Sequence, residues 1–373
     1  MTGKIRIGVI FGGRSGEHEV SLMSARSVLR NLDPEKFEIT QIGIDKNGHW
    51  YTGSGVIDAF ERGSTRDLCP VILLPQPDGV SLLVRQSGSC CEQINGKDLL
   101  DIVFPVLHGT FGEDGSIQGL FELAGIAYVG AGVLGSAIGM DKGVFKELMN
   151  AVGIPVLPYR VFTRSQVNEN LTALIDEIEQ MSAYPVFTKP ANLGSSVGIT
   201  KCRNRSDLME GISESAQYDR RIVVEMGLEK PIEIEVSVLG NEEPEASVPG
   251  EVIPAADFYT YSDKYEDGAA QFRIPADLSA IESDTIRDYA IRAYQSMDCA
   301  GMARVDFLQD RETRKIYLSE VNTIPGFTSI SMYAKLWEAS GISYAELIEK
   351  LVQLGLERKA DRDRSVYEMR RAA

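Results

Sequence analysis

Residues 301–331 read GMARVDFLQDRETRKIYLSEVNTIPGFTSIS, and the pattern inside them decides the fold. Residues 303–308 alternate in polarity, residues 310–314 form a polar turn, and residues 315–322 alternate again. A side-chain period of two thus runs along both arms of a β-hairpin. Arg304 and Asp306 then share a face. On the second arm Glu320 and Asn322 share a face with Ile316 and Leu318, and a turn centred near Thr313 sets Asp306 opposite Glu320. Two carboxylates, an amide and an arginine make an oxygen-rich cluster. Hard oxygen donors in that number suit Mg²⁺ that also takes ligands from a substrate's phosphates. A single charged residue on such a hairpin is ordinarily a solvated surface group. What argues for a site is the loop that follows, Thr323-Ile324-Pro325-Gly326-Phe327-Thr328-Ser329, whose glycine permits close approach of backbone to a ligand.

This stretch closely resembles the end of the catalytic domain in D-alanine–D-alanine ligases, members of the ATP-grasp superfamily. Their signature R-x-D … E-x-N-x-x-P-G-x-T stands here as Arg304-Val305-Asp306 and Glu320-Val321-Asn322-Thr323-Ile324-Pro325-Gly326-Phe327-Thr328. The resemblance implies Asp306, Glu320 and Asn322 as metal ligands, Arg304 and the Gly326 backbone N–H as oxyanion donors, and Ser331 as a contact to the second substrate's carboxylate.

Composition sets the outer bounds. At 373 residues the chain suits two or three domains, each with its own core. A make-up of 43% apolar and 25% charged residues is that of a soluble globular protein. A formal charge of −16 argues against a nucleic-acid partner, whose phosphates demand clustered basic groups. A bound nucleotide stays possible, because a few local lysines and metal ions can neutralise a triphosphate. Five cysteines without a C-x-x-C, and only three histidines, indicate neither a disulfide framework nor a zinc site, which fits a reducing cytoplasm. The apolar run 4–11 lacks the length and cleavage site of a signal peptide. No segment approaches the ~20 apolar residues that span a bilayer.

Residues 5–11 read as a buried parallel strand, followed by Gly12-Gly13-Arg14-Ser15-Gly16 and a helix over residues 17–32. The glycine spacing matches neither G-x-G-x-x-G nor a P-loop. Glu17 and Glu19 in the first turn complement the helix dipole on their own account. The ligases carry G-G-x-S-x-E-x-E-V-S here, which implies that Glu17 contacts the first substrate's ammonium and that Val20 lines its pocket. A second strand covers residues 37–44, and residues 48–95 are expected to be less regular. A strand over residues 101–107 ends at His108-Gly109-Thr110-Phe111-Gly112-Glu113-Asp114-Gly115. Ligands of open α/β sheets collect at the carboxyl ends of strands. The family's H-G-x-x-G-E-D-G implies that His108 and Glu113 lie near the first D-alanine.

Lys142 opens a helix over residues 142–151, and a lysine there is normally solvated. Lys189 ends a strand and leads into Ala191-Asn192-Leu193-Gly194-Ser195-Ser196-Val197-Gly198, a loop whose N–H groups and hydroxyls can close over phosphates. This resembles the family's K-P-x-x-x-G-S-S-V-G, implying Lys142, Lys189 and Ser196 at the ATP phosphates. Strands over residues 221–226 and 232–239 follow. By resemblance Glu225 accepts from the adenine amino group, the backbone from Met226 to Leu228 reads the ring's edge, and Glu233 holds the ribose, with Glu235 as the alternative. Residues 249–273 read as a long loop of the kind that serves as a lid. Its Phe258 to Tyr265 keeps the family's F-Y-x-Y-x-x-K-Y, which implies roles for Tyr259 at the substrate, Lys264 at ATP, and Tyr265 bonded to Ser195, with Ser195 reaching Glu17.

The expected fold is therefore α/β (α+β): a Rossmann-like N-terminal domain (1–137), then an ATP-grasp domain with a central lobe (138–222) and a C-terminal lobe (223–360), then a charged tail (361–373). The expected activity is ATP-dependent joining of two D-alanines through an acyl phosphate, serving bacterial peptidoglycan precursors. It would use ATP with Mg²⁺ or Mn²⁺, two ions in all, in a cytoplasmic homodimer with no nucleic-acid or membrane partner. The alternatives are a related ligase with another acceptor such as D-serine, and a nucleotide-binding protein without catalysis.

Overall fold

The computed structural model describes residues 3–77, 82–84, 92–93, 100–194, 197–253 and 271–366. Strand β1 (Ile5–Gly12) is buried from Ile7 onward, as a strand covered on both faces must be. It is followed by α1 (His18–Asn31) and lies parallel to β2 (Phe37–Ile44). Beyond β2, the segment expected to be irregular supplies β3 (Trp50–Thr52), α2 (Val56–Glu61), β4 (Cys69–Leu73), β5 (Leu82–Val84) and β6 (Glu92–Gln93). These strands are too short to display an alternation, and they pair antiparallel in succession outward from β2. On the other side of β1 lie β7 (Ile102–Val106), then, after α3 (Ser116–Leu123), β8 (Ala127–Tyr128), both parallel. The order is β6-β5-β4-β3-β2-β1-β7-β8.

Helices α4 (Val133–Met140) and α5 (Lys142–Ala151) lead to a four-stranded antiparallel sheet, order β11-β10-β12-β9, made of β9 (Tyr159–Thr163), β10 (Val186–Pro190), β11 (Thr200–Cys202) and β12 (Arg221–Met226). Ile222 and Val224 on β12 bury against α6 (Arg164–Met181) and α7 (Arg205–Tyr218). Alternation then turns Val223 and Glu225 to the opposite face. Since β12 belongs to this sheet as far as Met226, we place the lobe boundary between Met226 and Ile232 and not at residue 222.

The third sheet holds β13 (Ile232–Gly240), β14 (Glu245–Ala246), β15 (Gly250–Ile253), β16 (Gln271–Arg273), β17 (Gly301–Gln309) and β18 (Ile316–Asn322). Its order is β16-β15-β13-β17-β18, with β14 on β13. Here β15 and β16 pair antiparallel, so the ends of the segment read as one long loop are strand; residues 254–270 between them lie outside the described residues. Helix α5 and α8 (Ala280–Ser296) cover one face through Phe145, Met149, Ile286 and Ala290 against Phe307 and Leu318. Finally α9 (Met332–Ala339) and α10 (Tyr344–Arg362) return to the first sheet, where Leu347, Ile348 and Leu351 share a core with Ile7, Ile102 and Phe104.

The hairpin β17–β18 forms as its polarity pattern requires, with Asp306 opposite Glu320 and Arg304 opposite Asn322. One expectation fails. Phe307 pairs with Leu318, not Ser319, so a bulge on β18 skips one residue. Leu318 therefore shares the fully buried face of Phe307, while Glu320 and Asn322 face the other way with Asp306. Ile316 likewise packs against the core and not beside the acidic pair.

Candidate active site

The site begins where β1 and β7 end. Gly12 turns the chain at φ +90°, and Ser21 Oγ accepts from Gly12 N–H at 2.7 Å while donating to the Val106 carbonyl, which ties the two strand ends together. Glu17 stands just ahead of α1. A methyl group at Gly109 (φ +73°) would collide with Glu17 Oε2 and lie 2.9 Å from Ser15 Oγ; one at Gly194 would lie 3.4 Å from the same Glu17 oxygen. Two loops from different domains thus close on one carboxylate. Lys142 Nζ donates to the Leu193 carbonyl at 2.5 Å, so the loop that starts after Lys189 is also held to α5. The lysine is half-buried, not the solvated group that its place at a helix start suggests.

His108 is 4% exposed. Its Nδ1 lies 2.9 Å from the Ile324 carbonyl and its Nε2 3.0 Å from Ser24 Oγ, which in turn accepts from Phe327 N–H at 3.2 Å. The imidazole therefore fastens the loop carrying Gly326 to α1. Burial pushes its pKa down, but Glu113 at 3.7 Å and Glu17 outweigh it, and the net shift is upward. Burial raises the Glu113 carboxyl, partly opposed by His108. Val20 is buried in the first turn of α1. Ser331 stands just ahead of α9 without capping it, and its Oγ accepts from Thr328 N–H at 3.0 Å, placing it at the end of the same loop.

Across the hairpin, Arg304 donates Nε to Asp306 Oδ1 at 2.7 Å and Nη2 to Oδ2 at 2.6 Å, and lies 3.1 Å from Glu235 Oε2. Burial would lower the guanidinium's pKa, but Asp306 and Glu235 hold it well above its ordinary value. Asn322 Nδ2 donates to Asp306 Oδ2 at 3.0 Å. Glu235, weighed as a ribose ligand, is thus 7% exposed and paired with Arg304, while Glu233 is more accessible. The charge of Glu320 acts on both Lys142 and Lys189, so the acidic face of the hairpin looks toward the two lysines. Burial holds the Lys142 ammonium below its usual range against that pull. Two carboxylates and an amide oxygen, all hard donors on one face beside two lysines, fit a divalent cation.

Glu225 has two partners that its local sequence does not reveal. It is 3% exposed, with Lys146 Nζ 2.6 Å from Oε2 and Lys189 Nζ against Oε1, so each of its oxygens already faces an ammonium. Burial alone would raise its pKa; the two ammoniums reverse this and bring it down to about 2. The N–H groups of Met226 and Gly227 are given to the carbonyls of Pro158 and Pro185, each at 2.8 Å. Lys146 was not foreseen, although it stands one turn after Lys142, on the same side of α5. Ser195, Ser196, Tyr259, Lys264 and Tyr265 lie outside the described residues.

Comparison with known proteins agrees with this geometry at both ends of the chain. Residues 6–131 match the family model described as D-ala D-ala ligase N-terminus, and residues 148–353 the one described as D-ala D-ala ligase C-terminus. A D-alanine–D-alanine ligase of Heliobacterium modesticaldum is 48% identical, with 98% of each chain covered. That of Acetivibrio thermocellus is 46% identical over 97% of this chain and 98% of its own. Among solved structures, the D-alanine-D-alanine ligase from Coxiella burnetii superposes with a TM-score of 0.81 at 34% identity, covering 97% of this chain and 96% of that one. The VanG D-Ala:D-Ser ligase from Enterococcus faecalis gives 0.82 at 35% identity, covering 95% and 100%. With both halves matched in order and relatives aligned along nearly its whole length, the chain belongs to the D-alanine–D-alanine ligase family.

Proposed function

We propose that the site joins two D-alanines at the expense of ATP, and that the convergence of Glu17, the Leu193–Gly194 loop, Lys142 and Glu320 of the acidic hairpin face is the observation that carries this reading. A free carboxylate resists attack by an amine because oxide is a poor leaving group. Phosphorylation of the first D-alanine by ATP gives an acyl phosphate, and the second D-alanine's amine displaces phosphate from it.

Glu17, beside the His108–Glu113 pair, takes the first substrate's ammonium. Lys142 and Lys189 meet the triphosphate, with Ser196 in the loop after Lys189 and Lys264 in the segment beyond β15. The Met226–Leu228 backbone, through the Leu228 N–H, reads the adenine, Glu225 accepts from its amino group once Lys189 has turned from Oε1 to the phosphates, and Glu233 holds the ribose. Asp306, Glu320 and Asn322 would hold the divalent cations, Mg²⁺ or Mn²⁺, as a pair. Such ions neutralise charge on the transferring phosphoryl group. Arg304, pinned on two sides by Asp306 and Glu235, and the Gly326 N–H donate to the oxyanion of the tetrahedral intermediate; fixed donors of this kind cost no reorganisation when the charge appears. Ser331 binds the second carboxylate. Tyr259, Tyr265 and Ser195 act at the substrates, where water that would hydrolyse an acyl phosphate must be excluded.

The products serve peptidoglycan precursors in the bacterial cytoplasm, and the enzyme acts as a homodimer. Among the described residues no helix is long and apolar enough to cross a membrane. The test is D-alanine-dependent release of ADP, with L-alanine as control and D-serine as competing acceptor. No ADP with D-alanine refutes the reading, and preference for D-serine would reassign the acceptor.

A further inference from the structure

The Glu225 carboxylate holds two ammonium groups from different elements, Lys146 from α5 and Lys189 from β10. The two are not equivalent. Lys146 is 3% exposed and sits deep between α5 and β12, its Nζ also 5.6 Å from the centre of the Tyr159 ring. Lys189 is 17% exposed, at the strand end that opens into the phosphate-facing loop. Only Lys189 has somewhere to go.

We propose that Lys146 is a positioning residue of the nucleotide site: it holds Glu225 ionised and in place by itself, so that Lys189 can exchange that carboxylate for a phosphate oxygen. The inference rests on the reading that Lys189 meets the triphosphate. Two ammoniums on one carboxylate carry a net charge of +1. When Lys189 leaves, Lys146 and Glu225 remain as a neutral buried pair, and the Oε1 vacated by Lys189 becomes the acceptor that an adenine amino group needs. Without Lys146 the same movement would strand an ionised carboxylate in a nearly water-free place, which is strongly unfavourable. Nucleotide binding would then be opposed by the loss of the Lys189–Glu225 contact. Of the two ammoniums that lower the Glu225 pKa, Lys146 acts the more strongly, which agrees with its being the one that keeps the carboxylate charged. A lysine that merely packed there would lower stability and leave the affinity of the folded protein alone.

The test uses the full chain with Mg²⁺ and a non-hydrolysable ATP analogue, titrated calorimetrically, on wild type, Lys146→Met, Glu225→Gln and the double variant. Folding is checked by thermal melts. Lys146→Met should weaken binding by about tenfold or more, equivalent to ~1.4 kcal/mol. The double variant, with no carboxylate left to strand, should match Glu225→Gln to within about threefold. Wild-type affinity in folded Lys146→Met overturns the proposal, and so does a double variant about tenfold weaker than Glu225→Gln. If Lys146→Met does not fold, the comparison of those last two proteins decides alone. Failure of the wild type to bind the analogue would refute the nucleotide reading itself, a different result from wild-type-like binding in Lys146→Met.

Discussion

Asp141 joins the stability of the chain to the placement of Lys142, and its replacement tests both. Its Oδ1 accepts from the N–H groups of Gly143 and Val144, each at 3.0 Å, which caps α5; its Oδ2 pairs with Arg221 Nη1 at 2.5 Å across the lobe. The two side chains are 14% and 19% exposed. Asp141→Ala removes the cap, worth about 1 kcal/mol, and leaves Arg221 without this partner in a mostly buried position, a further ~1–2 kcal/mol. The expected loss is therefore about 2–3 kcal/mol. Asp141→Asn keeps an oxygen for the cap and loses only the charge pair, so it should cost about half as much. Urea denaturation followed by far-UV circular dichroism measures both. In turnover assays Asp141→Ala should raise KM for ATP more than it lowers kcat, because the first turn of α5 carries Lys142. Equal loss in the two variants, or a wild-type midpoint in Asp141→Ala, would refute the assignment of separate roles to the two carboxylate oxygens.

Three further outcomes are expected. Asp306→Asn should move the Mg²⁺ concentration for half-maximal ADP release upward by about tenfold or more with little change in melting temperature, since Arg304 keeps Glu235; a large melting shift with unchanged Mg²⁺ dependence contradicts a ligand role. Gly109→Ala forces a side chain into positive φ and against Glu17, at a cost of about 1–2 kcal/mol, and should raise KM for D-alanine while leaving nucleotide affinity unchanged. Because folding lowers the Glu225 pKa from 4.5 to about 2, its contribution is present above pH 4.5 and is lost as pH falls through that window. Glu225→Gln should therefore lose less stability than wild type between those pH values, and parallel acid limbs in pH-dependent melts would show that the pairing contributes nothing.

The hairpin was legible because a period of two and a polar turn fix which residues meet, and Asp306 does lie opposite Glu320. The bulge was not, since counting alternate residues assumes that none is skipped, and Leu318 was assigned to the wrong face for that reason. Lys146 escaped for a different cause. A lysine inside a helix reads as solvated, and its partner Glu225 stands on a strand of another sheet, a pairing that no local window contains. His108 was rightly placed at a strand end, but its near-complete burial and its bonds to Ile324 and Ser24 depend on two segments far away in the chain. The strands of residues 50–93 were missed because each has too few residues to display an alternation.

The skipped residue in β18 also decides where this enzyme can be modified. It sits between the hairpin tip, whose Asp310 caps the turn through Thr313, and the pair formed by Asp306 and Glu320. An insertion near Glu312 meets exposed backbone first, then Leu318 buried on Phe307, and only beyond that the bulge. Those inner contacts anchor the register, so a fluorophore or a short peptide tag placed at the tip should ride outside the sheet without sliding the carboxylates relative to the lysines they face.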